Sequence, residues 1–164
     1  MELYLYEDYR ECYPELSGGQ LTERLICDAA EEYGIREPRV LRDERGKPYL
    51  DGESVFLSVS HSGRYFVCVL DSVPVGIDIQ QERKLKKEIA HRYFTDRENR
   101  WIREHGESGF FKLWTRKEAY CKYLGTGLAE IIKGTDVLNR QDVEFMEFQL
   151  EKGMYCACCR KKTK

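Results

Sequence analysis

Apolar positions divide the chain into stretches of two periods. Leu3 and Leu5 alternate with polar neighbours, the period of a strand. After Ser17-Gly18-Gly19, residues Leu21, Leu25, Ile26, Ala29, Ala30 and Tyr33 recur at helical spacing, and Gly34 is placed to end that amphipathic helix. Short strands are predicted next at Val40-Leu41, Lys47 to Leu50, Val55 to Val59 and Tyr65 to Leu70. Turns at Asp43-Glu44-Arg45-Gly46, Asp51-Gly52 and Ser60-His61-Ser62-Gly63 separate them. Pro74 precedes another alternating run, Val75-Gly76-Ile77-Asp78-Ile79. The pattern then turns helical through Leu85, Ile89 and Tyr93. Thr95-Asp96-Arg97-Glu98 has the spacing of a capping box, opening a helix that Gly106 is placed to end. Phe110, Phe111, Trp114, Cys121 and Leu124 mark a further helix closed by Gly125. Alternation returns in Val143 to Phe145 and, after a phase slip at Met146, in Phe148 to Leu150, before Lys152-Gly153 turns into Met154 to Cys158. Short antiparallel strands with segregated helices predict an α+β architecture rather than a doubly wound parallel sheet.

A length of 164 residues with 41% hydrophobic content supports one compact domain or two small fused halves. The 27 basic against 29 acidic side chains, net charge -2, argue against bulk nucleic-acid binding, so a basic partner site must be local. Arg83-Lys84-Leu85-Lys86-Lys87 is the candidate for it. The longest apolar stretch, Tyr65 to Leu70, stops at Asp71, far short of the ~18 residues a membrane span needs. The first residues lack the basic region of a secretory signal, so a cytoplasmic address is expected. Seven cysteines form no regular framework and are expected as thiols. Cys156 and Cys158 would share a strand face, but no histidine or second pair completes a tetrahedral metal set.

Chemistry concentrates in the second half. Asp78 sits between Ile77 and Ile79 in an apolar strand, where a carboxylate needs a partner. Glu118 stands in a helix with Lys117 and Lys122 beside it. Two carboxylates from separate elements, with lysines close by, suit a Mg²⁺-phosphate site: the hard cation takes oxygen ligands and the lysines neutralise the remaining phosphate charge. Glu118 and Lys122 are equally an i,i+4 pair that stabilises any helix. His61, in a turn after a strand, either meets an anion or satisfies turn backbone. Gly46-Lys47-Pro48 reads first as a hairpin turn.

Taken in order, these segments are more specific. GKP at Gly46 to Pro48, SVSHSG at Ser58 to Gly63, GIDIQ at Gly76 to Gln80, RYFT at Arg92 to Thr95 and WTRKEAYCKYLGTGL at Trp114 to Leu128 follow one another. In this the sequence resembles the surfactin-type 4'-phosphopantetheinyl transferases, in a compact form. The resemblance implies two pseudo-symmetric α+β halves, 1–74 and 75–164, with the active site in the cleft between them. It implies transfer of the phosphopantetheine arm of coenzyme A to a serine of an apo carrier protein, releasing adenosine 3',5'-bisphosphate. Asp78 and Glu118, with Gln80 alongside, would hold Mg²⁺, and Glu118, Lys122 and Lys117 would form the catalytic group. Lys47, Pro48, Ser60 and Lys122 would contact coenzyme A, and His61 would face its 3'-phosphate. The serine's base would be Glu118 or a metal-held water. The expected partner is an acidic acyl, peptidyl or aryl carrier protein met by a monomer, with no nucleic acid and no membrane.

Two departures from the family's pattern stand out. Gln80 replaces the acidic residue that ends the family's GxDxE, removing a charge from the metal set. Ser17-Gly18-Gly19-Gln20 replaces a basic residue at the start of the first helix, leaving Arg24 or Arg64 to compensate. A non-catalytic coenzyme A or carrier-binding module and a Mg²⁺-dependent phosphodiesterase are the competing readings.

Overall fold

The computed structural model describes residues 1–83, 93–126 and 134–162. The elements are β1 (Glu2–Glu7), α1 (Tyr9–Cys12), α2 (Gly18–Glu32), β2 (Val40–Arg42), β3 (Pro48–Leu50), β4 (Phe56–Ser62), β5 (Tyr65–Asp71), β6 (Val75–Gln81), α3 (Asp96–Leu124), β7 (Val143–Gln149) and β8 (Met154–Lys161). One antiparallel sheet has the order β1-β5-β4 and a second β6-β8-β7, while β2 and β3 form a separate small hairpin. Each three-stranded sheet takes strand, helix and two more strands in chain order, with the last strand in the middle. The chain passes from one sheet to the other between Asp71 and Val75.

Three apolar layers hold this α+β arrangement together. The buried stripe of α2, Leu21, Leu25, Ile26, Ala29 and Ala30, packs on Phe66, Cys68 and Leu70 of β5. Phe110, Phe111, Leu113, Ala119 and Tyr120 of α3 pack with Val143 and Cys159. Between the sheets lie Val67 and Val69 of β5, Val75, Ile77 and Ile79 of β6, and Cys156 and Cys158 of β8. Every residue of β5 is buried, because α2 covers one face and the second sheet the other. That is why its sequence is a continuous apolar run. Each such side chain contributes roughly 1.5–3 kcal/mol by leaving water. All seven cysteines are free thiols, and burial pushes those of Cys156 and Cys158 up to about 12.

The capping box forms as the sequence predicts: Thr95 Oγ1 accepts from the Glu98 N–H and the Glu98 carboxylate from the Thr95 N–H. Gly106 ends the first helical segment as the sequence predicts: at φ 66° and ψ −154° it is non-helical, so α3 is two helices meeting at a kink, the second running to Leu124. Two expectations need correction. Ser60-His61-Ser62 is the end of β4 and not a turn, the reversal falling at Gly63 (φ 59°). β7 has no phase slip: Val143 and Phe145 face α3 while Met146 and Phe148 face the other sheet, so both alternations are apolar. The helical stretch expected through Leu85 and Ile89 lies outside the described residues, as do Lys84 to Lys87 of the basic run. No helix among the described residues is long and apolar enough to cross a membrane.

Candidate active site

Gly76, Asp78 and Gln80 occupy one face of β6 by strand alternation, and α3 lies on that face. The approach is close. A Cβ on Gly76 would stand 2.1 Å from the Ala119 carbonyl oxygen and 2.3 Å from the Tyr123 nitrogen, so only glycine fits there. Lys122 is thereby lowered onto Asp78, its Nζ donating to Asp78 Oδ1 at 2.8 Å. Ser60 Oγ of β4 donates to the same oxygen at 2.8 Å. Asp78 is 7% exposed, so its charge is stabilised by these two donors rather than by water. Burial, and next the Asp78 charge, push the Glu118 carboxyl up to about 7 against the opposing pull of Lys122.

The β2–β3 hairpin meets the same, C-terminal end of α3. Asp43 Oδ1 accepts from the Arg45 and Lys47 N–H groups, shaping the turn. Lys47 Nζ then donates to the Lys122 carbonyl at 2.7 Å, and Arg45 Nη1 to the Gly125 carbonyl at 3.1 Å. Two cations from the first half thus satisfy carbonyls at the negative end of the helix from the second. Burial holds the Lys47 ammonium below its ordinary pKa. Beside them opens a cavity of about 470 Å³ lined by Arg45, Gly46, Lys47, Pro48, Ser58, Val59, Lys122, Gly125 and Thr126.

The remaining predicted residues are placed as follows. His61 is on the face of β4 opposite Ser60, its ring 5.8 Å from that of Tyr9. Partial burial, then Arg10 and Lys122, hold its pKa below the ordinary value. Gln80 shares the face of Asp78, and its amide nitrogen is committed to the Gln81 carbonyl at 3.0 Å. Lys117 departs from its expected place in the catalytic group. It is 1% exposed, and its Nζ donates to Glu98 Oε2 (2.7 Å), the Tyr93 carbonyl (2.7 Å) and the Thr135 carbonyl (3.0 Å), away from Asp78. Neither Arg24, paired with Asp28, nor Arg64, paired with Glu7 and Asp8, is turned to the cavity lining.

No cluster of three or more His, Cys, Asp or Glu suited to a metal ion exists among the described residues. Asp78 and Glu118 are nonetheless a hard-oxygen pair close enough to repel, and a divalent cation relieves that repulsion. The pair fits Mg²⁺ that draws the rest of its shell from water and phosphate. The sequence gives Gly76, Arg45, Ser58 and Ser62 no individual role in the site, and Glu98 only that of a helix cap. The visible signal for the serines is their alternation at positions 58, 60 and 62 of a strand whose other positions, His61 apart, are apolar.

The model of the 4'-phosphopantetheinyl transferase superfamily matches residues 74–162. The chain belongs to that superfamily. Its relatives mark the surfactin-type branch: it is 34% identical to the 4'-phosphopantetheinyl transferase Sfp of Bacillus subtilis (strain 168) over 76% of this chain and 58% of that protein. Against the 4'-phosphopantetheinyl transferase gsp of Aneurinibacillus migulanus it is 29% identical over 94% of this chain and 71% of that protein. Against AcpT of Salmonella typhi, also a 4'-phosphopantetheinyl transferase, it is 29% identical over 71% of this chain and 73% of that protein. The chain thus spans little more than half the length of Sfp.

Proposed function

We propose that this chain transfers the 4'-phosphopantetheine arm of coenzyme A to a serine of an apo carrier protein. The serine oxygen forms a bond to the pantetheine-bearing phosphorus, and the pyrophosphate bond breaks. Adenosine 3',5'-bisphosphate leaves, and the serine proton passes to Glu118 or to water held beside it. The observation that carries this reading is the joining of Asp78, Glu118 and Lys122 beside a cavity rimmed by Lys47, within this family.

Mg²⁺ bound at Asp78 and Glu118, with Gln80 near it, would polarise the pyrophosphate and stabilise the leaving phosphate. Lys122, already the counter-charge of Asp78, supplies positive charge where the leaving phosphate develops negative charge. Lys47, Pro48 and Ser60 would contact the nucleotide end of coenzyme A, and His61 its 3'-phosphate. The halves 1–74 and 75–164 supply nucleotide contacts and catalytic carboxylates respectively. The enzyme acts as a cytoplasmic monomer on an acidic acyl, peptidyl or aryl carrier; its net charge of -2 supports no nucleic-acid role.

The test is intact mass spectrometry of a panel of apo carriers incubated with the protein, coenzyme A and Mg²⁺. Gain of one phosphopantetheinyl group on at least one carrier is expected. Coenzyme A binding with no carrier modified would make the chain a binding module, and coenzyme A cleavage without a carrier would make it a phosphodiesterase.

A further inference from the structure

β4 and β6 belong to different sheets, yet they are joined side by side by hydroxyl groups. Ser58 Oγ accepts from the Ile77 N–H at 3.1 Å, Ser60 Oγ donates to Asp78 Oδ1 at 2.8 Å, and Ser62 Oγ accepts from the Gln81 N–H at 2.9 Å. Both series ascend, so the two strands run in the same direction along this seam. Alternation puts all three serines on the face of β4 that meets the second sheet, opposite His61. Ile77 and Gln81 are four residues apart, as are Ser58 and Ser62, so the outer hydroxyls match two N–H groups of β6 that no neighbouring strand satisfies on that side. A backbone ladder would bring the strands to about 4.8 Å and leave no room for a side chain between them. Serine side chains hold them farther apart and leave the middle position for the Asp78 carboxylate.

We infer that Ser58, Ser60 and Ser62 form a hydroxyl strap that sets the register of the second half against the first, and that Ser60 is a positioning residue for Asp78. The inference rests on the proposed transferase reading for its metal, and departs from it in what Ser60 does. With Ser60 and Lys122 both on Oδ1, the carboxylate is held in one orientation and its second oxygen is directed away from both donors. The outer serines differ in role: Ser58 satisfies the buried Ile77 N–H, which would otherwise be left without a partner, and Ser62 ties the exposed Gln81 N–H at the end of the seam.

Ser58→Ala, Ser62→Ala, Ser60→Ala and Ser60→Thr separate these roles. Ser58→Ala, at a residue 3% exposed, is expected to raise the unfolding equilibrium constant about tenfold. Ser60→Ala is expected to leave the melting temperature within a few degrees of wild type. It is expected to weaken Mn²⁺ binding about tenfold, titrated with saturating coenzyme A and no carrier, so that nothing turns over. Ser60→Thr, which keeps the hydroxyl, is expected to restore Mn²⁺ binding to within threefold of wild type.

Three results in the Ser60 variants would overturn the assignment of Ser60. In one, Ser60→Ala keeps wild-type Mn²⁺ affinity and loses coenzyme A more than dephospho-coenzyme A, which makes Ser60 a phosphate contact. In another, Ser60→Ala melts as low as Ser58→Ala and threonine restores nothing, which makes it packing. In the third, Ser60→Ala changes neither quantity, which makes its hydrogen bond idle. Unchanged melting in Ser58→Ala and Ser62→Ala would overturn the strap itself. A wild type that takes up no Mn²⁺ overturns the metal reading together with the role of Ser60, while the melting results still decide the strap.

Discussion

Replacing Lys117 by methionine distinguishes a buried structural charge from a catalytic one. The ammonium is 1% exposed and the facing Glu98 carboxylate 0%, with Lys117 Nζ to Glu98 Oε2 at 2.7 Å. Glu98 also accepts from the Thr95 and Val137 N–H groups, so it ties the start of α3, the Lys117 turn and the segment leading to β7. Methionine fills nearly the same volume and keeps the contact with the Phe94 ring, which Lys117 Nζ approaches at 4.9 Å from the centroid. What it removes is the only ammonium among the described partners of Glu98, leaving a carboxylate buried with two amide donors. Breaking one side of a buried ion pair costs about 3–5 kcal/mol. At roughly 2–4 °C per kcal/mol for a chain of this size, melting should fall by about 6–20 °C. The double variant Lys117→Met, Glu98→Gln should recover part of that loss, because it buries no charge, but not all of it: the Thr95 and Val137 N–H groups sit on different Glu98 oxygens and glutamine has a single acceptor. Differential scanning calorimetry and denaturant titration supply the numbers. Wild-type melting in Lys117→Met combined with abolished transfer would refute this reasoning and return Lys117 to the catalytic group.

Glu118 sets a pH dependence in metal-free protein. Its folded pKa of about 7 lies above the unfolded value near 4.5, so its contribution is greatest below pH 4.5 and is lost as pH rises through 7, by up to about 3 kcal/mol. Denaturant titrations from pH 5 to 8 should show that fall, reduced in Glu118→Gln and by Mg²⁺. Asp78→Ala and Glu118→Ala should each abolish transfer in protein that still unfolds cooperatively, and EDTA should silence the wild type, all read by carrier mass. His61, held below its ordinary pKa in the free protein, takes up a proton more readily when a phosphate anion lies beside it. Preference for coenzyme A over dephospho-coenzyme A should therefore grow as pH falls from 8 to 6.5, and His61→Gln should lose the slope in calorimetric titrations. Gly76→Ala should drive α3 off β6 and lose both stability and transfer, because its methyl would meet backbone atoms at 2.1 and 2.3 Å; near-wild-type melting would contradict the packing described.

Local and near-local physics was legible in the sequence. The α2 stripe, the Thr95–Glu98 capping box, the continuous apolar run of β5 and the isolated carboxylate of Asp78 each declare themselves through periodicity or an unusual neighbour. Helix geometry alone even separates the two lysines beside Glu118. At about 100° per residue, Lys122 lies some 40° from Glu118 around the helix, while Lys117 and Lys122 are about 140° apart. What no pattern specifies is what waits on each side. Only the packed structure sets Glu98 against Lys117 and Asp78 against Lys122, since those partners lie 19 and 44 residues away and their meeting depends on how α3 crosses its sheet. The same holds for the serines of β4. Their alternation is written in the sequence, but their task depends on the register between two sheets, which is decided by long-range packing and by the single glycine that lets α3 come close enough to β6.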